Sequence, residues 1–141
     1  MTQGSDNPFD PPALVGEDLS FEATRSTPEV YCDWNKGHIR MAGESYPENP
    51  YEMFDSIISW VEHYLQHANR PLVVELELNY LNTSSVRAMI EILDLLQDAH
   101  DHGKSAAVRW IYDPRNPRSS EMAEEFMEDY SFAFLIGMTA S

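Results

Sequence analysis

The chain has 141 residues, of which 43% are hydrophobic and 11% aromatic, enough for one globular domain that buries roughly 68% of its unfolded surface without covalent staples. Its 24 acidic and 9 basic residues leave a net charge of −15, which excludes unaided binding to nucleic acid or an anionic membrane surface and suits a partner presenting basic or apolar surface. The single cysteine, Cys32, excludes an internal disulfide and fits a reducing cytoplasm, and no apolar run approaches a membrane span.

Residues 1 to about 17, with Gly4, Pro8, Pro11, Pro12 and several acids, read as a loose tail without the pattern of a signal peptide, so the domain is expected over 18–141. Leu19–Ala23 reads as a first short strand, and Thr24–Glu29 as a turn leading into a hairpin. In that hairpin Val30, Cys32 and Trp34 alternate with Tyr31 and Asp33, Asn35-Lys36-Gly37 turns the chain, and Ile39 and Met41 alternate with His38 and Arg40.

Ser45-Tyr46-Pro47-Glu48-Asn49-Pro50 then opens a helix, with Asn49 as cap, Pro50 at the first position and Glu52 completing a capping box. The helix is predicted to run to about Ala68 and to bury Phe54, Ile57, Ile58, Val61 and Leu65, with Trp60 and Tyr64 widening the stripe. Glu52, Ser56, Ser59, Glu62, His63 and Gln66 are expected to face away. Arg70-Pro71 ends it, and Leu72, Val74, Leu76, Leu78 and Tyr80 then mark one face of a half-buried strand.

From Val86 to about His102 the period becomes helical again. Val86, Met89, Ile90, Leu93 and Leu96 form an apolar stripe opposite Arg87, Glu91, Asp94, Asp98 and Asp101, and Gly103 is the expected terminator. Val108, Trp110 and Tyr112 alternate with Ala107, Arg109 and Ile111 as a further strand. Asp113–Pro117 reads as a loop, and Ser119 or Ser120 as the cap of a last helix burying Met122, Ala123, Phe126 and Tyr130. The acids Glu121, Glu124, Glu125, Glu128 and Asp129 line its solvated face, and Phe132–Ile136 is apolar enough to pack back onto the body. The order predicts a small α/β domain: a mixed β-sheet, an N-terminal hairpin and one dominant helical layer.

The stretch Tyr80-Leu81-Asn82-Thr83-Ser84-Ser85 follows a strand and opens a helix. Asn, Thr and Ser there can accept from the unpaired N–H groups of a first turn, as in any N-cap cluster. A helix start also favours an anion, so a phosphate on Thr83 would sit in a favourable local field. Other chemistry is poorly supported. His63 and His67 have metal-ligand spacing, but no acid follows in a zinc-hydrolase pattern, and His100-Asp101-His102 suits a helix end. There is no Gly-rich phosphate loop, no Gly-x-Ser-x-Gly elbow and no visible reactive Cys/His pair. Neither catalysis nor a metal or cofactor is expected.

Thr27-Pro28-Glu29, Ser45-Tyr46-Pro47-Glu48-Asn49, Leu81-Asn82-Thr83-Ser84-Ser85 and Arg109-Trp110-Ile111-Tyr112-Asp113 occur in an order that resembles the SiaC family of bacterial regulatory phosphoproteins. The resemblance runs from about Leu19 to the C-terminus and implies a fold like that of anti-sigma-factor antagonists, or STAS-like domains. It further implies a switch. The threonine of Asn-Thr-Ser-Ser, here Thr83, would be phosphorylated by a partner serine/threonine kinase and dephosphorylated by a metal-dependent, PP2C-like phosphatase. The unphosphorylated form would bind a diguanylate cyclase and stimulate cyclic di-GMP synthesis, promoting aggregation and biofilm. Ser84 and Ser85 are alternative acceptors. The implied partner surface joins Tyr80, Leu81, Asn82, Thr83, Ser84, Ser85 and Arg87 to Ser45, Tyr46, Pro47, Glu48 and Asn49, the latter loop serving recognition or only the helix entrance. An antagonist that acts only by sequestering its kinase shares the same Thr83 chemistry.

Overall fold

The alternating runs form six strands and the helical periods three helices in a computed structural model that describes residues 15–139. In chain order these are β1 (Leu19–Phe21), β2 (Glu29–Asp33), β3 (His38–Ser45), α1 (Tyr51–His67), β4 (Leu72–Leu81), α2 (Thr83–Asp101), β5 (Ala106–Tyr112), α3 (Pro117–Met127) and β6 (Ala133–Met138). The expected tail lies outside the described residues except for 15–17, where the Glu17 carbonyl accepts the Trp60 indole N–H at 2.8 Å.

The strands lie in sequential order, β1-β2-β3-β4-β5-β6. The first three pair antiparallel, and β3 to β6 pair parallel. Three right-handed crossovers stepping the same way place α1, α2 and α3 on one face of the sheet. The result is the expected mixed sheet under a single helical layer, an architecture compatible with a STAS-like domain. The last segment, Phe132–Ile136, does more than pack back, because Ala133–Met138 joins the sheet as its sixth strand. No helix of the described residues is long and apolar enough to cross a membrane.

The covered face carries the core. Ile39 and Met41 lie beside Val74 and Leu76, which lie beside Val108 and Trp110, and all six are fully buried. The open face is polar: Arg40 bridges Glu75 at 3.0 Å and Glu77 at 3.2 Å, so one guanidinium offsets the repulsion of two carboxylates on the same face of β4. At the end of the sheet nearest the hairpin turn, Trp60 and Tyr64 stack with centroids 5.4 Å apart, and Trp34 meets both edge-on. The Tyr64 hydroxyl donates to the Pro71 carbonyl at 2.9 Å. Gly37, at φ +64°, permits this closeness, since a Cβ there would fall 2.2 Å from the Tyr64 oxygen.

Several facings differ from the sequence expectation. On α1 the buried stripe is Met53, Phe54, Ile57, Trp60, Val61 and Tyr64, while Ile58 and Leu65 are half-buried. The rotation towards Trp60 and Tyr64 draws Ser56, Ser59 and His63 into partial burial instead of leaving them free. Pro50 is already helical at φ −66°, and the Asn49 side chain caps the Tyr51 N–H at 3.1 Å; Glu52 stays exposed, and no side-chain bond from it closes a capping box. On α2 the core face is Ala88, Met89, Ile92, Leu93 and Leu96, leaving Val86 half-buried and Ile90 39% exposed. Tyr80 leaves the expected face of β4 because the register with β3 slips from Gly43↔Leu78 to Glu44↔Tyr80. The unmatched Asn79 is a bulge that inverts the alternation, exposing Tyr80 and burying Leu81. Ser119 and Ser120 do not cap α3, because Pro117 starts the helix and places them inside its first turn.

Leu93→Ala is expected to cost roughly 2–5 kcal/mol by cavity formation, whereas Ile90→Ala should stay within about 1 kcal/mol; denaturant titration ranks the two. Burial pushes the Cys32 thiol up to about 12, so the native protein should resist alkylation at neutral pH and react fully only when unfolded.

Candidate functional site

The parallel strands β3, β4 and β5 end on the rim where α1, α2 and α3 begin. Asn82 organises this rim. With φ −76° and ψ 173° it stands just outside α2, and its Oδ1 accepts the Ser85 N–H at 2.9 Å as the helix cap. Its own N–H donates to the Ser45 carbonyl at 2.9 Å, its Nδ2 donates to the Pro47 carbonyl at 3.2 Å, and its carbonyl accepts the Val86 N–H at 2.9 Å. One side chain and one peptide thus tie the Ser45–Asn49 loop to the start of α2.

The hydroxyls divide by depth. Ser45 and Ser85 are fully buried, and their Oγ atoms share a 2.7 Å hydrogen bond beneath the rim. Ser84 is half-buried, while Thr83, the first residue of α2, is exposed. Asn82 takes up the Ser85 N–H, leaving those of Thr83 and Ser84 without a helical acceptor, as the first turn of any helix requires. Arg87 is exposed one turn along, near the Tyr51 hydroxyl, whose 2.5 Å bond to Glu91 raises the Tyr51 pKa while the Arg87 charge opposes the rise.

Exposed aromatic surface also lies at the carboxyl ends of β3 and β4. Tyr46 and Tyr80 are 40% and 53% exposed, and their rings meet edge-on with centroids 6.2 Å apart. The Asn79 bulge is what turns Tyr80 out to reach Tyr46. Tyr46 is fixed from its other side by its N–H to the Ser26 carbonyl at 2.8 Å, within the turn where the Thr24 and Thr27 hydroxyls approach to 2.6 Å. Gly43, at φ +125°, lies against buried Pro28, where a Cβ would stand 3.4 Å from the Pro28 Cα.

The fourth motif segment is split. Trp110 is buried and donates its indole N–H to Ser119 Oγ at 3.0 Å, and Ser119 in turn donates to the Leu78 carbonyl at 2.7 Å. Asn116 Nδ2 donates to the bulged Asn79 carbonyl at 3.3 Å, so the start of α3 supports the end of β4. Asp113 closes the rim, its carboxyl held down at about 2 by side-chain and backbone hydrogen bonds from Arg115. Arg109 instead lies exposed on the open face, beside Glu75 and away from Thr83. Ser119 and Asn116 were not foreseen as supports; the available signal was Pro117, which fixes where α3 starts. The His63 and His67 rings lie 6.3 Å apart, and among the described residues no three His, Cys, Asp or Glu side chains are grouped as a metal site requires. His102 Nδ1 lies 2.7 Å from the Asp98 carbonyl at the end of α2.

The family model described as "SiaC family regulatory phosphoprotein" matches residues 21–138. The chain belongs to the SiaC family. An uncharacterised protein of Pseudomonas aeruginosa (strain UCBPP-PA14) is 53% identical over 119 residues, covering 84% of this chain and 94% of that one. The crystal structure of apo-SiaC from P. aeruginosa is similar at 51% identity and a TM-score of 0.83, covering 86% of this chain and 98% of that one. The crystal structure of the diguanylate cyclase SiaD in complex with its activator SiaC, also from P. aeruginosa, is similar at the same identity and TM-score, over 86% of this chain and 99% of that one. A SiaC-family fold therefore presents an exposed threonine on a rim held by Asn82 and a buried serine pair.

Ser45→Ala and Ser85→Ala should each cost roughly 1–3 kcal/mol, since each strands the other buried hydroxyl. The double variant should cost less than their sum, which equilibrium unfolding of the four proteins measures. Thr83→Ala removes no cap and should cost no more than about 0.5 kcal/mol.

Proposed function

We propose that this protein is a phosphorylation-controlled activator of a diguanylate cyclase. Its unphosphorylated form binds and stimulates the cyclase, raising cyclic di-GMP and favouring aggregation and biofilm. A serine/threonine kinase phosphorylates Thr83 and blocks that binding, and a metal-dependent phosphatase of PP2C-like type restores it. The protein is not itself a catalyst and works in the cytoplasm. The observation that carries this reading is the exposure of Thr83 at the head of α2, while Ser85 is buried and committed to Ser45. Membership of a family of regulatory phosphoproteins, and likeness to the SiaC that is bound to SiaD as its activator, support it.

The physical switch is local. Phosphothreonine adds about −1.5 to −2 charge and three strong acceptors where a hydroxyl stood. In the free protein this group is tolerated, because the Thr83 and Ser84 N–H groups and the start of the helix dipole face it. Beneath a bound partner it is not, because a hydrated dianion would have to lose water without enough donors to replace it. The exposed Tyr46–Tyr80 pair at the same ends of β3 and β4 offers apolar contact to a partner, and a charge at Thr83 changes that surface without disturbing the buried Ser45–Ser85 pair.

The test is calorimetric titration of the cyclase with unmodified, phosphorylated, Thr83→Ala and Thr83→Asp protein, alongside cyclic di-GMP production. Mass spectrometry should place the phosphate on Thr83. Thr83→Ala should bind like the unmodified form and stimulate whether or not kinase is present. Phosphorylation should abolish binding, and Thr83→Asp should weaken it less, having about one charge and less bulk. Equal affinity of the unmodified and phosphorylated forms would overturn the switch.

A further inference from the structure

The two outer edges of the sheet are built differently. β1 is three residues long and lies between Asp18 and Glu22, the short and charged form that keeps another strand off. β6 is six residues long, pairs with β5 without a register shift, and contains neither proline nor lysine. Residues 130–141 carry no charged side chain, in a chain of net charge −15. The Thr139 N–H donates to the Tyr112 carbonyl at 2.9 Å. Backbone groups alternate sides along a strand, so Ala133, Leu135 and Gly137 also turn towards β5, while Phe134, Ile136 and Met138 turn their N–H and C=O groups outward. Among the described residues nothing pairs with those outward groups. Exposed apolar side chains stand on both sides of this edge: Leu135, 65% exposed, on the open face, and Met138, 63% exposed, on the helical face. Met127, 38% exposed, lies on the flank of α3 away from Glu121, Met122 and Glu125, which line the groove between α3 and α2.

We propose that β6 pairs antiparallel with the β6 of a second copy of this chain, joining two domains into one continuous sheet. With Ile136 opposite its own copy, Phe134 meets Met138, and every outward N–H and C=O is satisfied by residues of the strand itself. A register centred on Leu135 instead pairs Met138 with Phe132, which lies outside the strand. The favoured register sets Leu135 against the copy's Gly137 on the open face and Met138 against the copy's Phe134 on the helical face, large beside small and sulfur beside ring. Other occupants fit less well. Residues 1–14 lead into β1 at the far edge, and their Pro8, Pro11 and Pro12 lack the N–H groups a ladder needs. A partner selected by charge finds none on β6 to read. A second copy needs none, because the strand complements itself. The charges that approach in the pair are Glu124 and Glu128, on the same flank of α3 as Met127, so association works against repulsion and strengthens as salt screens it. The twofold axis stands perpendicular to the sheet. Both helical layers therefore share one face, and the two Thr83 rims point in opposite directions, clear of the junction.

The experiment is sedimentation equilibrium of the full chain over a range of concentration and salt, with amide hydrogen exchange read residue by residue and thermal melts as a check on folding. Wild-type protein should dimerise reversibly, and more tightly in high salt. Leu135→Lys and Met138→Lys should weaken the dimer about tenfold or more, although each makes the chain less negative. Glu124→Gln should tighten it. Exchange at the Ile136 and Met138 amides should be slow in the dimer and speed up on dilution, while the Leu135 amide, bonded to β5, stays slow throughout. That pattern is read on wild-type protein, so it decides the question even if a variant fails to fold. A monomer at every concentration and salt would overturn the proposal, as would a dimer unmoved by both lysines or one that loosens with salt. Protection of Ile136 and Met138 that arises in a monomer, and only when the cyclase is added, would give the edge to that partner and overturn self-pairing.

Discussion

Every parallel crossover in this domain moves one strand further in the same direction, from β3 to β4 to β5 to β6. Because each crossover is right-handed, no helix can pass to the other side of the sheet. All three helices are therefore parallel neighbours whose positive ends gather on the rim at the carboxyl ends of the strands. The rim's chemistry follows from that constraint. Helix starts bring unspent N–H groups, and the preceding strand ends bring the loops that must satisfy or cap them. Asn82 meets both demands at once, capping α2 while holding the Ser45 and Pro47 carbonyls.

The rim is rigid below and open above. The Ser45–Ser85 hydroxyl pair, the Ser119 bridge from Trp110 to Leu78 and the Asn116 contact to Asn79 are hydrogen bonds that anchor the strand ends to the helix starts. Above them stand an exposed threonine and two exposed tyrosines. A covalent change at the top can alter what the surface accepts without unpacking what lies beneath it. Such a device suits a regulatory phosphoprotein, the family to which the chain belongs. The acidity of the chain acts in the same sense: with net charge −15, each added negative charge enters a field that is already repulsive except at the helix starts.

The positions where sequence periodicity and structure part ways are informative. On α2 the apolar residues cover a wide arc, and either the Val86–Ile90 side or the Ala88–Ile92 side could have formed the core. Packing against β4 and β5 chose the second and left the first facing the groove with α3. On α1, Trp60 and Tyr64 looked like the margin of the stripe and proved to be its centre, because the hairpin brings Trp34 against them. Tyr80 was placed inward by simple alternation; the register slip opposite Gly43 turned it out, and a slip depends on the partner strand, which one strand's pattern does not encode.

The sequence by itself determined the first five strands and the three helices in their order, the hairpin, the turn at Gly37, the cap at Asn49, the stop at Gly103, and the strand-to-helix stretch carrying Thr83. These are set by contacts within a few residues, where side-chain period, proline and glycine act directly. Tertiary structure alone decided that β6 is a strand, that Ser85 is buried while Thr83 is exposed, and that Tyr46 and Tyr80 meet. Phe132–Ile136 is a short apolar run that becomes a strand only because β5 offers an unpaired edge. Thr83 and Ser85 are near-equal in type and two residues apart, and only the arrival of Ser45 from forty positions away gives one of them a buried partner and leaves the other to the solvent.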